Sequence, residues 1–94
     1  MAVVVIQQFE ASTDEYDKVT AKIDPESNPP EGLILHCGAD IGGGKMKVVD
    51  IWDSADAFQT FADARLGPAI GEVMGEDASE PQIDIHELHD LYRF

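Results

Sequence analysis

The sequence has little of what several common protein classes need. A single cysteine, Cys37, excludes an internal disulfide and is typical of a reducing compartment, so we expect a cytoplasmic protein. No apolar run approaches the roughly 18 residues that span a bilayer, so we expect no membrane partner. The apolar residues 1–6 lack a basic segment and a small-residue cleavage site, which indicates a first strand and not a signal peptide.

Positive charge is also scarce. Six lysines and arginines face nineteen aspartates and glutamates, for a net charge of −13. Nucleic-acid backbones attract basic surfaces, so we expect no nucleic-acid partner. The acidity leaves three interpretations open: a solubilising surface, a high-salt cytoplasm that screens the acids from one another, or an acidic patch that docks a basic partner.

The chain of 94 residues predicts one domain, residues 1–94, with a thin core that dimerisation would extend. Period-two and helical patterns predict six elements in the order strand, helix, strand, strand, helix, strand. The strands are predicted over 2–9, 33–40, 45–53 and 82–89. A capping box from Ser12 to Glu15 begins the first helix, which Pro25 stops, and Ser54 caps the second.

Three connections are predicted between these elements. The glycines at 42–44 predict a hairpin turn. Gly67-Pro68 predicts a kink or restart in the second helix, which should end near Gly71 or Gly75. The polar composition of residues 76–81 predicts a linker before the last strand.

This order predicts an α+β fold of the ferredoxin-like βαββαβ kind. Right-handed crossovers give a four-stranded antiparallel sheet with two helices on one face. Too many apolar residues remain for the other face to be solvated, so we expect a second copy of the chain to cover it as a homodimer. The apolar tail, with Leu91, Tyr92 and Phe94, is expected to pack on a neighbour.

A cross-strand pair follows from the predicted hairpin. If the turn centres near Gly43, His36 lies opposite Asp50, on a sheet face shared with Ile34, Val48 and Trp52. A carboxylate beside a histidine raises the histidine pKa and orients the ring as a base. An ordinary cross-strand polar pair is the alternative interpretation.

Residues 48–61, Val-Val-Asp-Ile-Trp-Asp-Ser-Ala-Asp-Ala-Phe-Gln-Thr-Phe, carry a family resemblance. An apolar strand ending in Trp, a short acidic and serine cap, and Ala-Phe on the following helix resemble the signature of the dimeric α/β-barrel superfamily. That superfamily includes antibiotic-biosynthesis-monooxygenase-like proteins, heme-degrading monooxygenases and stress-responsive barrel domains. The resemblance implies a homodimer whose sheets face each other and a ligand cleft between each sheet and its helices.

The heme-degrading branch does not fit the residues present. That branch has a second Trp and an iron-ligating His on the helix after the strand-end Trp, and an Asn on the first strand. Here Phe61 and Gly71 stand at the matching helix positions, and the first strand offers only Gln7 and Gln8. Without an axial ligand we expect no heme and no other cofactor. His86 and His89 fall on opposite faces of one predicted strand, so we expect no metal site.

The cofactor-independent monooxygenases of the superfamily act on aromatic polyketide-like or quinol substrates. They need an apolar cleft, a base and a group that holds an oxyanion. The resemblance therefore suggests His36, Asp50 and Arg65 as catalytic candidates, and as ligand-binding candidates Trp52, Phe58, Phe61 and His86. Each has a structural alternative: the aromatic residues as core, and Arg65 as a side chain that extends to the helix edge.

Three functional hypotheses remain. The leading one is a small-molecule-binding dimer, with a cofactor-free oxygenase acting on an aromatic or quinol-like substrate as its catalytic form. The second is a non-catalytic structural or stress-response dimer. The third is an acidic module that binds a basic partner, whose association would depend on salt.

Overall fold

A computed structural model gives the fold, and it describes residues 1–75, 78 and 80–94. The strands are β1 (Val3–Glu10), β2 (Leu33–Gly42), β3 (Lys45–Trp52) and β4 (Gln82–Glu87). They form one antiparallel sheet in the order β2-β3-β1-β4. The helices are α1 (Thr13–Ile23), α2 (Ala55–Phe61) and α3 (Gly67–Met74), with a π-helical turn (Ala62–Leu66) joining the last two.

The predicted ferredoxin-like α+β fold is confirmed, with small differences at the element ends. β2 runs two residues further than predicted, into the glycine turn. β4 stops at Glu87, so His89 lies beyond the strand and not on its second face as predicted. Of the predicted linker at 76–81, residues 76, 77 and 79 lie outside the described residues.

The start of α1 confirms the predicted capping box. The Glu15 backbone N–H donates to the Ser12 hydroxyl at 3.2 Å, and the Ser12 N–H donates to the Glu15 carboxylate at 3.0 Å. The hydrogen bonds that the Glu15 carboxylate accepts from Ser12 lower the pKa of Glu15 because they favour its ionised form. The cap fixes where α1 leaves the end of β1 and so sets the position of the residues along the inner face of α1.

The second helical segment is interrupted where Gly67-Pro68 predicts it. The Gly67 N–H donates to the carbonyl of Ala62, five residues earlier, and Pro68 has no N–H to donate. In a regular helix, residues on one face are about three or four positions apart. The wide turn lengthens this spacing, so that Phe61 and Leu66, five positions apart, both face the sheet. Arg65, which a regular helix would place on the apolar stripe, turns toward the end of α1.

The two faces of the sheet differ. The face toward the helices carries the core, in which Val3, Val5, Trp52 and Phe58 are buried together. The opposite face, here named the open face, carries an apolar patch formed by Val4, Ile6, Leu35, Cys37, Val49 and Ile51. In the single chain Leu35 is 41% exposed, and Cys37 is exposed as well.

The β2–β3 register agrees with the prediction at His36 and departs from it at the start of β2. His36 pairs with Asp50 as expected from a turn near Gly43. A bulge between Leu33 and Leu35 then shifts the pairing by one residue, so Leu33 and not Ile34 faces the helices beside Trp52. The prediction that Ile34 shares the inner face is therefore wrong.

The tail beyond β4 extends from the single chain. Tyr92 and Phe94 are exposed, so their packing on a neighbouring molecule stays a prediction. Within residues 1–75, 78 and 80–94, none of the helices has the length and apolar character that crossing a bilayer requires.

Candidate functional site

A cavity of about 100 Å³ lies between the sheet and the helices. Its floor is formed by sheet residues and the start of β2, namely Gln7, Phe9, Leu33, His36, Val48, Asp50 and Trp52. Its roof is formed by helical residues, namely Tyr16, Val19, Thr20, Ile23, Phe61, Leu66, Ile70 and Met74. The lining is apolar except for a few side chains, which is typical of a small-molecule site.

The volume restricts what the cavity can hold. An engineered apolar cavity of about 150 Å³ in another protein accepts benzene, and pockets for drug-sized ligands measure about 300–1,000 Å³. The space of about 100 Å³ is smaller than that benzene cavity, so one small ring is the most it can take, and the walls must widen to admit it. A fused polycyclic ligand would require the helices to move away from the sheet.

His36 and Asp50 form the main polar contact of the site. The His36 Nδ1 lies 2.6 Å from the Asp50 Oδ1, and the Asp50 side chain is 4% exposed whereas that of His36 is 40% exposed. The hydrogen bond to Asp50 raises the pKa of His36, and partial burial of the ring opposes that rise. Since His36 both lines the cavity and reaches solvent, it lies at the rim.

Asp50 also accepts a second hydrogen bond. The Trp52 indole N–H donates to the Asp50 Oδ2 at 3.3 Å, so each carboxylate oxygen has one partner. Trp52 is fully buried and packs against Phe58 edge-on at 5.8 Å and against Phe61 at 5.2 Å between ring centroids. The aromatic cluster therefore fixes the indole that helps to orient the carboxylate.

Tyr16 extends the polar chain from the sheet to the roof. Its hydroxyl lies 2.9 Å from the His36 Nε2, the ring nitrogen that does not contact Asp50. Burial raises the pKa of the Tyr16 phenol, and the negative charge of Asp50 raises it further, so the phenol keeps its proton at neutral pH. The series Asp50–His36–Tyr16 thus leads from a buried carboxylate to a hydroxyl in the cavity wall.

Gly38 provides the space for that hydroxyl. A Cβ at position 38 would lie 2.7 Å from the Tyr16 oxygen, closer than two such atoms can approach. Gly38 is one of the β2 residues paired with β3, opposite Val48. The missing side chain therefore lets Tyr16 reach across β2 to His36.

Gln7 is a further polar group of the cavity wall. The residue is 2% exposed, and its Oε1 has no hydrogen-bond partner among the described residues. Its neighbours across the two flanking strands are Val48 and Ile83, neither of which can donate a side-chain hydrogen bond. Gln7 is therefore a buried acceptor within the cavity.

Arg65 does not line this cavity. Its guanidinium donates to the backbone carbonyls of Ile23 at 2.6 Å and Asn28 at 2.8 Å, and it lies 5.7 Å from the Phe61 ring. It therefore joins the π-helical turn to the end of α1 and to the loop that follows. This position agrees with the structural alternative. Arg65 also borders a separate cleft of about 460 Å³ together with Asp53 and Asp56, and its catalytic role stays a prediction.

The remaining predicted residues divide between the cavity and other places. Trp52 and Phe61 line the cavity as expected for ligand-binding walls. Phe58 is buried in the core behind Trp52 and does not border the cavity. His86 pairs with Val4 and so lies on the open face of the sheet, away from His36. No three histidine, cysteine, aspartate or glutamate side chains of the described residues come together as a metal site requires.

Comparisons with known proteins find similarity in structure. No protein-family model and no curated protein sequence matches the chain. A candidate antibiotic biosynthesis monooxygenase from Deinococcus radiodurans matches with a TM-score of 0.71 at 16% identity, over 98% of this chain and 97% of that one. SnoaB, a cofactor-independent oxygenase from Streptomyces nogalater, matches with a TM-score of 0.69 at 15% identity, over 96% and 95%.

This chain has the antibiotic-biosynthesis-monooxygenase-like fold. The resemblance predicted from residues 48–61 is confirmed at that level. A protein of unknown function from Nitrosomonas europaea is similar to the same degree, with a TM-score of 0.73 at 16% identity over 98% of this chain and 93% of that one. Identities this low show the fold and leave the activity to be argued from the residues.

Sequence reasoning missed two residues that this fold brings to the cavity. Tyr16 lies on the inner face of α1 with Val19 and Ile23, and that apolar pattern suggested a core residue. Gln7 lies on the inner face of β1 between Val5 and Phe9. A polar residue on a strand face that is otherwise buried was the available signal for Gln7.

Proposed function

We propose that the protein binds a small aromatic, quinol-like molecule in the cavity between sheet and helices and oxygenates it without a cofactor. The observation that supports this most is the Asp50–His36–Tyr16 series, which ends at a small apolar cavity. A base held by a carboxylate and facing an apolar pocket can abstract a proton from a weakly acidic substrate.

Tyr16 would be the group that meets the substrate. When His36 is neutral and its Nδ1–H donates to the Asp50 carboxylate, the Nε2 lone pair is left to accept from the Tyr16 hydroxyl. A substrate O–H that donates to the Tyr16 oxygen can then pass its proton to that oxygen while the Tyr16 proton moves to His36. Asp50 stabilises the imidazolium that results.

The resulting quinol anion is the species that reacts with O₂. In a balanced monooxygenation, one oxygen atom adds to a ring carbon and the other leaves as water, so a one-ring quinol becomes a hydroxyquinone. The substrate supplies all the electrons, so no external reductant is required. The protein's part is to generate the anion and to exclude bulk water from it.

Hydroquinone under ¹⁸O₂ is the direct test of this reaction. We expect protein-dependent oxygen consumption and a hydroxyquinone that carries one ¹⁸O atom. His36→Gln should lower the rate at least tenfold, within the range of general-base contributions. His89→Gln is the matched control, since His89 lies outside β4 and the cavity. Binding without turnover would instead favour a non-catalytic binding protein.

We also propose that the molecule is a homodimer joined through the open face. The patch formed by Val4, Ile6, Leu35, Cys37, Val49 and Ile51 is continuous across the three strands β2, β3 and β1. A second copy would hide apolar surface that a 94-residue chain cannot cover by itself. Light scattering should give twice the chain mass of 10.2 kDa. Leu35→Glu should shift the protein toward the monomer, and a monomeric wild type would contradict the proposal.

A further inference from the structure

The buried amide of Gln7 indicates which molecules the cavity accepts. Its amide is nine-tenths buried or more, and the Oε1 has no partner among the described residues. Leaving a buried acceptor without a hydrogen bond destabilises a fold, so each such group calls for a physical explanation. Because Gln7 lines the cavity, a bound molecule can supply the missing donor.

The surroundings of Gln7 leave its side-chain oxygen available to a hydrogen-bond donor on a ligand. The residues opposite it on β3 and β4 are Val48 and Ile83, so neither cross-strand neighbour competes for the oxygen. The polar series through Tyr16 and His36 reaches the rim, where His36 meets solvent. Gln7, by contrast, is almost fully enclosed, so its acceptor lies in the cavity wall, away from solvent.

We propose that Gln7 is a specificity-determining residue that selects aromatic molecules bearing a hydroxyl group. The hydroxyl donates to the Gln7 Oε1, and the ring occupies the apolar space beside Trp52 and Phe61. A ring of the same size without a donor leaves the acceptor unpaired, which disfavours its binding. This inference rests on the proposed function, since it assumes that the cavity binds a one-ring ligand.

Phenol and toluene are the probes for this selection, because they differ by a hydroxyl in place of a methyl group. The measured quantity is the phenol-to-toluene affinity ratio, and comparing this ratio between variants cancels the general preference of an apolar cavity for toluene. Each affinity comes from an NMR titration that follows the Trp52 indole N–H, which borders the cavity. The ratio is compared among the wild type and three variants.

Gln7→Met keeps the length of the side chain and removes the acceptor. We expect the phenol-to-toluene affinity ratio to fall about tenfold, as for the loss of one buried hydrogen bond. Gln7→Asn draws the amide back by one methylene and should lower the ratio as well, which provides a second variant should Gln7→Met fold poorly. Gln8→Met is the matched control, because Gln8 pairs with Lys47 and Gln82 on the open face, and its ratio should stay within about twofold.

The outcomes separate this inference from the function on which it rests. Binding of both probes with an unchanged ratio in Gln7→Met and Gln7→Asn would overturn the role of Gln7 and leave the cavity as a binding site. Failure of both probes to bind the wild type would overturn the binding site and the inference together. A fall of the ratio in Gln8→Met as large as in Gln7→Met would place the probes on the open face and refute both.

Discussion

Replacing Gln7 by methionine should make the ligand-free protein more stable. An unpartnered buried amide costs about 1–3 kcal/mol, and methionine fills nearly the same space without a polar group to desolvate. The Gln7 Oε1 is in this position, with 2% of the residue exposed and no described partner. Taking the lower end of the range, because the cavity is not sealed, we expect a gain of about 1 kcal/mol in the free energy of unfolding.

For a domain of fewer than 100 residues, that gain raises Tm by about 4–8 °C. Thermal unfolding followed by circular dichroism at matched protein concentration measures the shift. Gln8→Met, on the open face, should change the free energy of unfolding by less than about 0.5 kcal/mol. A Gln7→Met protein that is less stable than wild type by about 1 kcal/mol would show that the amide is satisfied in the folded chain, and the reasoning would be refuted.

Three further substitutions test the rest of the site. Asp50→Asn removes the main cause that raises the pKa of His36 above 6.5. The loss of stability should be largest below pH 6.5 and should shrink as pH rises through the folded-state pKa of His36. Denaturant titrations at several pH values measure this dependence. Arg65→Met should lower the free energy of unfolding by about 1–3 kcal/mol, because two charged hydrogen bonds are lost. The affinity for phenol should stay within about twofold of the wild-type value, and a large loss of affinity would show that Arg65 belongs to the binding site. Gly38→Ala should push the Tyr16 hydroxyl away from His36 and lower turnover at least tenfold. Circular dichroism should show that the fold is intact, and unchanged turnover would contradict the proton transfer through Tyr16.

The sign of the Asp50→Asn effect follows from linkage. A histidine whose pKa is higher in the folded state than in the unfolded state binds its proton more tightly when folded. The full stabilisation is therefore present below the unfolded-state pKa of His36, and it is lost as pH rises through the folded-state pKa. Since the His36 side chain is 40% exposed, solvent screens the pair and the effect should be about 1 kcal/mol or less.

The sequence was sufficient to predict the fold and one contact of the site. Capping residues, the order of elements and the glycine turn fixed the βαββαβ arrangement, because each is a local signal. The turn also set the register that pairs His36 with Asp50. Antiparallel pairing propagates from a hairpin turn, so this long-range contact could be counted from the chain alone.

The remaining features depend on interactions that no local pattern encodes. The bulge at Leu33 and Leu35 reversed the faces at the start of β2, and the π-helical turn redirected Arg65 from the apolar stripe to the end of α1. Tyr16 has the spacing of a core residue, and only the absence of a side chain at Gly38 lets it reach His36. Such irregularities appear when elements pack, after the periodicity of each element has been satisfied.

The most direct measurement of the central claim is an NMR titration of the ¹⁵N-labelled protein with hydroquinone in the absence of oxygen. If the ligand occupies the cavity between sheet and helices, the side-chain amide signal of Gln7 and the indole signal of Trp52 will move and saturate together. The side-chain amides of Gln8 and Gln82, which face the other way, will not move. Saturable shifts at Gln8 and Gln82 with none at Gln7 would contradict the account.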